Sequence, residues 1–207
     1  MYNSSAGAAS APPTRFPEKF QAKDLRFELL NPRIHRQDLL ELAGDCVHIL
    51  DGTAPSAKDL SERVTNAHTA ARDATSGNPF FGAWLASYDT PGQGRLYIGC
   101  YCITLPNPSQ IGETKLHAAI GDLFVRKGTG ARSGLFQLLL GRAEGQADTF
   151  AAAAKKPRRL ALLLGQGKET TATSLMGDHK FVLTAKRAQS VRFSNVTVLS
   201  KPYGIAL

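Results

Sequence analysis

The stretch from Leu116 to Leu140, LHAAIGDLFVRKGTGARSGLFQLLL, limits the folds open to this chain more than any other segment. An apolar, strand-like run ends at Val125, a basic loop carrying Gly128, Gly130 and Gly134 follows, and a leucine-rich helical pattern opens directly behind it. A strand that turns through glycines into a helix start brings backbone N–H groups and the positive end of a helix dipole to one point. A phosphorylated guest is the expectation. It is not a Walker loop, because no Gly-Lys-Ser/Thr occurs, and a Rossmann loop beginning at Gly128 would need its third glycine where Ser133 stands.

With 207 residues and 43% hydrophobic content, the chain suffices for one well-buried core, and a second domain would be crowded. Residues 1–15 are small, polar and proline-containing, so a disordered tail over 1–20 ahead of one domain over 21–207 is expected. No window holds the ~18 consecutive apolar residues of a membrane span. A charged-then-apolar leader is also absent, which suggests a cytoplasmic protein. Cys46, Cys100 and Cys102 cannot all pair, and Cys100 and Cys102 share a strand face, so all three read as small apolar packing with no metal site.

The net charge of +8 is uneven: residues 1–100 hold 10 Lys/Arg and 11 Asp/Glu, residues 101–207 hold 15 and 6. The anion-seeking half is C-terminal. A basic nucleic-acid module is therefore one reading, but the bases are dispersed and lack the interleaved aromatics that stack on single strands.

The apolar pattern gives the element order. Leu25–Leu30 alternates as a first strand, and Leu39, Leu40, Ala43, Val47 and Leu50 recur at helical spacing over Arg36–Leu50. A second helix follows Ser56 as cap, with Asp59 in its first turn and a stripe of Leu60, Val64, Ala67, Ala71 and Ala74. Phe80–Tyr88 and Arg95–Leu105 read as a hairpin, the second strand apolar on both faces and hence central. The strand at Leu116–Val125 and its helix come next, ended by Lys155-Lys156-Pro157-Arg158-Arg159, then a buried strand at Leu160–Leu164. A threonine-rich helix over Lys168–Lys180 and strands at Phe181–Thr184 and Val191–Leu199 close a mixed α/β domain.

This order and loop resemble the GNAT superfamily of N-acetyltransferases, as a divergent member. Ile120-Gly121-Asp122-Leu123-Phe124-Val125 resembles the family's fourth strand, Ile-Glu-Asp-Leu-Phe-Val. Gly130-Ala131-Arg132-Ser133-Gly134-Leu135 occupies the place of its Arg/Gln-x-x-Gly-x-Gly/Ala loop. Ala172, Leu175 and Phe181 fall in register with the downstream Asn-x-x-Ala-x-x-Leu-Tyr-x-x-x-Gly-Phe segment, where Glu169, Met176 and Lys180 replace the Asn, Tyr and Gly. The resemblance implies a central mixed sheet of about seven strands flanked by helices. It implies acetyl-CoA as cofactor, its pantetheine arm on the backbone of Phe124, Val125 and Arg126 and its pyrophosphate on residues Gly130, Ala131, Arg132, Ser133, Gly134 and Leu135. It further implies transfer to an amine-bearing small molecule or protein by a monomer or homodimer.

The chemistry needs a base for the amine and a proton donor for the leaving thiolate. The resemblance puts family carboxylates where Gly121 and Ala119 stand, and the donor tyrosine where Met176 stands. The substitutes are Asp122 and His117 on the strand, and Ser174 and His179 near the replaced tyrosine. Each also has a structural reading: orienting backbone for Asp122, strand packing for His117, a solvated helix end for Ser174 and His179. A CoA-binding protein without turnover is accordingly the alternative to an enzyme.

Overall fold

The computed structural model describes residues 16–50, 55–90, 92, 94–106, 116–129, 134–188 and 196–204, with backbone alone at 185–188. The expected tail at 1–15 lies outside them. Phe20, within the expected tail range of 1–20, is 2% exposed and sits edge-on to Tyr88.

The chain runs β1 (Leu25–Leu29), α1 (Arg36–Gly44), β2 (Cys46–His48), α2 (Ala57–Ala74), β3 (Gly82–Thr90), β4 (Gly94–Thr104), β5 (Ala118–Arg126), α3 (Leu135–Ala154), β6 (Arg158–Leu164), α4 (Glu169–Asp178), β7 (Val182–Ala188) and β8 (Val196–Tyr203). These strands form one sheet of order β1-β3-β4-β5-β6-β8-β7, with β2 paired to β5 beside that path. Its pairs are antiparallel except β5 with β6. Helices α1 and α2 cover one face, where Leu39, Leu42 and Val64 meet Leu85, Cys100 and Phe124. Helices α3 and α4 cover the other, where Leu139, Leu140 and Leu175 meet Ile98, Leu123 and Leu162.

The local chemistry explains most boundaries. Ser56 and Asp59 form a reciprocal capping box at the start of α2. Lys155, at φ 50°, ends α3 in a left-handed turn. Cys46, Cys100 and Cys102 are buried free thiols in the α1/α2 core, as their packing role requires. One boundary differs from the sequence reading: the helix expected over Arg36–Leu50 stops at Gly44, and Cys46–His48 is a strand. Val47 fits the helical stripe by spacing, yet the residue is 47% exposed, because pairing with β5 fixes this segment.

At Gly82 the backbone takes φ 124°, and an added Cβ would lie 2.7 Å from Nδ1 of His68. That nitrogen accepts the Ala83 N–H at 3.0 Å, so helix α2 is joined to β3 at the point of closest approach. Gly82→Ala is expected to cost about 2 kcal/mol through both strain and overpacking, read as a lowered urea midpoint with unchanged m-value. An unchanged midpoint would contradict it.

Candidate functional site: a fork in the sheet

The site follows from a single extra residue. The register of β5 on β4 shifts between Cys102↔Asp122 and Ile103↔Ile120, which leaves Gly121 as the bulge. Before the bulge β5 runs parallel to β6 through Ala118↔Leu160, Ala119↔Ala161 and Ile120↔Leu162. Beyond it β6 is no longer the partner, and the two strands open into a fork.

An interior strand that loses its neighbour leaves a row of N–H and C=O groups to be satisfied. Here β2 satisfies them. Cys46, Val47 and His48 pair with Arg126, Val125 and Phe124, and the ladder extends through Ile49 N–H to Leu123 O (2.9 Å) and Lys127 N–H to Asp45 O (2.7 Å). Leu50 O then accepts the Gly165 N–H at 2.6 Å, joining the segment to the end of β6. The stretch Asp45–Leu50 thus crosses the fork and lines the free side of β5.

Past β5 the chain turns: Thr129, itself buried, donates its hydroxyl to Arg126 O at 2.7 Å. Residues Gly130, Ala131, Arg132 and Ser133, the expected pyrophosphate loop, lie outside the described residues. The chain is described again at Gly134, at φ 72°, whose carbonyl accepts the Leu138 N–H and which opens α3 without a side-chain cap or an acid in the first turn. A helix start carries the positive end of the helix dipole, which suits an anion.

The expected site residues fall into distinct places. Phe124 is buried in the α1/α2 core, Val125 is partly buried toward α3, and Leu135 anchors the helix start at 1% exposure. Arg126 points into the protein, donating Nε–H to Tyr97 O at 2.9 Å and pairing Nη1 with Asp45 at 3.1 Å, so its charge is spent internally. Asp122, 2% exposed, is held by Arg63 Nε of α2 at 2.8 Å and lies 3.5 Å from Nε2 of His48. His117 stands on the joined side of the fork, exchanging hydrogen bonds with Arg159: its N–H to Arg159 O (3.0 Å) and Nδ1 from Arg159 N–H (2.9 Å). Ser174 donates to Asp178 at 2.8 Å on the exposed face of α4. His179 ends α4 with Nδ1 3.4 Å from Glu144. The structure does not bring these four polar candidates together.

Two features escaped the sequence. One is β2, which crosses the fork. The other is a cavity of about 810 Å³ beside Gly165, between α4 and strands β7 and β8, lined by Glu169, Ala172, Met176, Leu183 and Leu199 among others. It begins where the fork opens, Met176 is 40% exposed in it, and Glu169 is its carboxylate. The threonine-rich helix expected over Lys168–Lys180 corresponds to α4 (Glu169–Asp178), but nothing local encodes a space made by three distant elements.

Among the described residues, no helix is long and apolar enough to cross a membrane, and no group of three or more His, Cys, Asp or Glu side chains could hold a metal ion. The fork fits an anion at the start of α3. It does not, with β2 in place, leave the β5 backbone open to a cofactor arm.

No protein-family model and no curated protein sequence matches the chain. Solved structures do match. A protein from Bordetella pertussis provisionally assigned to the GNAT-family acetyltransferases superposes with TM-score 0.57 at 10% identity, over 86% of this chain and 95% of that one. The NatC complex bound to Gag peptide and CoA gives 0.53 at 15% identity, over 86% of this chain and 98% of that one. The ribosomal-protein-S18-alanine N-acetyltransferase of Escherichia coli gives 0.53 at 10% identity, over 88% and 96%. With its mixed sheet, bulged fifth strand and helices on both faces, the chain has the GNAT fold, carried by a sequence only 10–15% identical to these structures.

Proposed function

We propose that the protein is an acyl-CoA-dependent N-acyltransferase that passes an acetyl group from acetyl-CoA directly to an amine. The observation that carries this reading is the path formed by β5: a strand side facing the mouth of a fork, covered by β2, that leads to the glycine-opened N-terminus of a 20-residue helix. Such a path suits a ligand with an extended amide-bearing arm and a phosphorylated end. When bound, the thioester would supply an activated acyl group. The cavity beside Gly165 would receive the acceptor, where the exposed carboxylate of Glu169 can hold an ammonium group. Acetyltransferases of peptide or protein amines among the fold neighbours support an amine-bearing small molecule or protein as acceptor.

Calorimetric titration with acetyl-CoA and with CoA tests the reading, and absence of heat up to millimolar ligand overturns it. A sharper form uses Gln137, exposed in the first turn of α3. Gln137→Glu places a carboxylate at the positive end of the helix, so the fold should gain about 0.5 kcal/mol. The same charge repels phosphate, so CoA affinity should fall severalfold. Stability and affinity moving together would contradict a phosphate at this helix start.

A second reading, a CoA-binding protein without turnover, is favoured by one set of observations. Asp122 and Arg126 are held in internal ion pairs, and Met176 stands at the position of the expected proton donor. CoA binding without product from a panel of amines would decide for it.

A further inference from the structure

We infer that Asp45–Leu50 is a removable strap seated in the cofactor's own place, so that the acyl-CoA arm binds only after this segment leaves the edge of β5. The inference rests on the acyl-CoA reading above and adds its regulation.

One edge cannot serve two strands. An extended amide-bearing arm laid along β5 beyond the bulge must use the groups that now bond the strap: Leu123 O with Ile49 N–H, Lys127 N–H with Asp45 O, and Val125 opposite Val47. At the crotch the strap also holds Gly165 N–H through Leu50 O. Strap and arm are therefore mutually exclusive, and the affinity measured for the ligand is the intrinsic affinity reduced by the fraction of molecules whose strap is out.

The strap is held by the side chains on its inward face. Cys46 sits in the α1/α2 core, His48 lies against Asp122 and Phe124 and Leu50 is fully buried, whereas Val47, between Cys46 and His48, is exposed to solvent. At the far end the Asp45–Arg126 pair has its carboxylate half exposed. Backbone pairing around Val47 is thus the part of the contact that can be removed without opening a cavity.

Val47→Pro deletes the central N–H of the strap while leaving His48 and Leu50 in place, and the preceding Cys46 already has the extended conformation that proline favours. The expected result is a CoA affinity about tenfold tighter than that of the starting protein. Faster hydrogen exchange at the Ile49 and Lys127 amides of the ligand-free protein should accompany it.

The converse variant joins the strap to its seat. Val47→Cys with Val125→Cys places two thiols directly opposite in register. Oxidised, this protein should lose CoA binding; reduced, it should bind like Val125→Cys alone, with thermal melting confirming that each form is folded. An oxidised form that binds CoA as tightly as the reduced one overturns the strap and leaves the acyl-CoA reading standing. No binding by the wild-type, Val47→Pro or reduced proteins overturns both.

Discussion

Replacing Asp122 by alanine should destabilise the fold by about 3–5 kcal/mol, because it removes one partner of a buried ion pair and leaves the other uncompensated. The Asp122 side chain is 3% exposed and that of Arg63, 2.8 Å away on α2, is 14% exposed. His48, reaching the same carboxylate from β2, is 4% exposed. The carboxylate therefore ties three elements together behind β5: α2, the strap and the strand itself. Replacing Arg63 and Asp122 together by apolar residues of similar volume should restore much of the loss, since the desolvation of both charges is then avoided. Urea unfolding of the single and double variants measures this. A loss below about 1 kcal/mol in Asp122→Ala, with turnover abolished, would instead make Asp122 the base of the reaction.

The same residue shows how far the sequence could be read. Its strand was legible: an apolar run with a small-residue interruption at Gly121, followed by glycines and a leucine repeat, specified strand, turn and helix by local pattern. The hairpin of β3 and β4, the capping box at Ser56 and the buried run of β6 were legible for the same reason, since each is encoded by neighbours in sequence. What Asp122 does was not, because Arg63 and His48 reach it from positions remote in the chain, and only the folded sheet brings them together. The strap failed in a different way. Ala43, Val47 and Leu50 satisfy a helical spacing, and only the vacant edge of β5, created by a bulge some 75 residues later, makes a strand of Cys46–His48. Two of the candidate polar residues, Ser174 and His179, lie near the end of α4 but point to different partners, Asp178 and Glu144. Buried pairing also changes the meaning of the basic half of the chain: Arg126 belongs to it by count and contributes to the interior by position.

Glu144 is expected to give the other large effect, together with a pH signature. It lies on α3 with its side chain 15% exposed and accepts from Lys201 Nζ at 2.6 Å and Tyr203 OH at 2.7 Å, with His179 Nδ1 3.4 Å away. These contacts bind α3 to β8 and to the end of α4. Burial alone would raise the carboxyl, but the hydrogen bonds from Lys201 and Tyr203, the Lys201 charge and His179 hold it below its ordinary value of 4.5. Glu144→Ala should cost about 3 kcal/mol, since it strands the Tyr203 hydroxyl and a half-buried ammonium. A carboxylate held low in the folded state binds its proton more readily when unfolded. Its stabilisation is therefore complete above pH 4.5 and is lost as the pH falls through the lowered folded value. His68 acts in a separate window. Burial, and then Arg72, lower it below 6.5, so the unfolded chain takes up the proton first and stability declines as the pH drops below 6.5. Glu144→Gln should accordingly flatten the acid limb below pH 4.5 while preserving the decline that begins near 6.5. Chemical denaturation from pH 7 to pH 3 separates the two, and a Glu144→Gln profile parallel to that of the starting protein would show that its hydrogen bonds contribute nothing through charge.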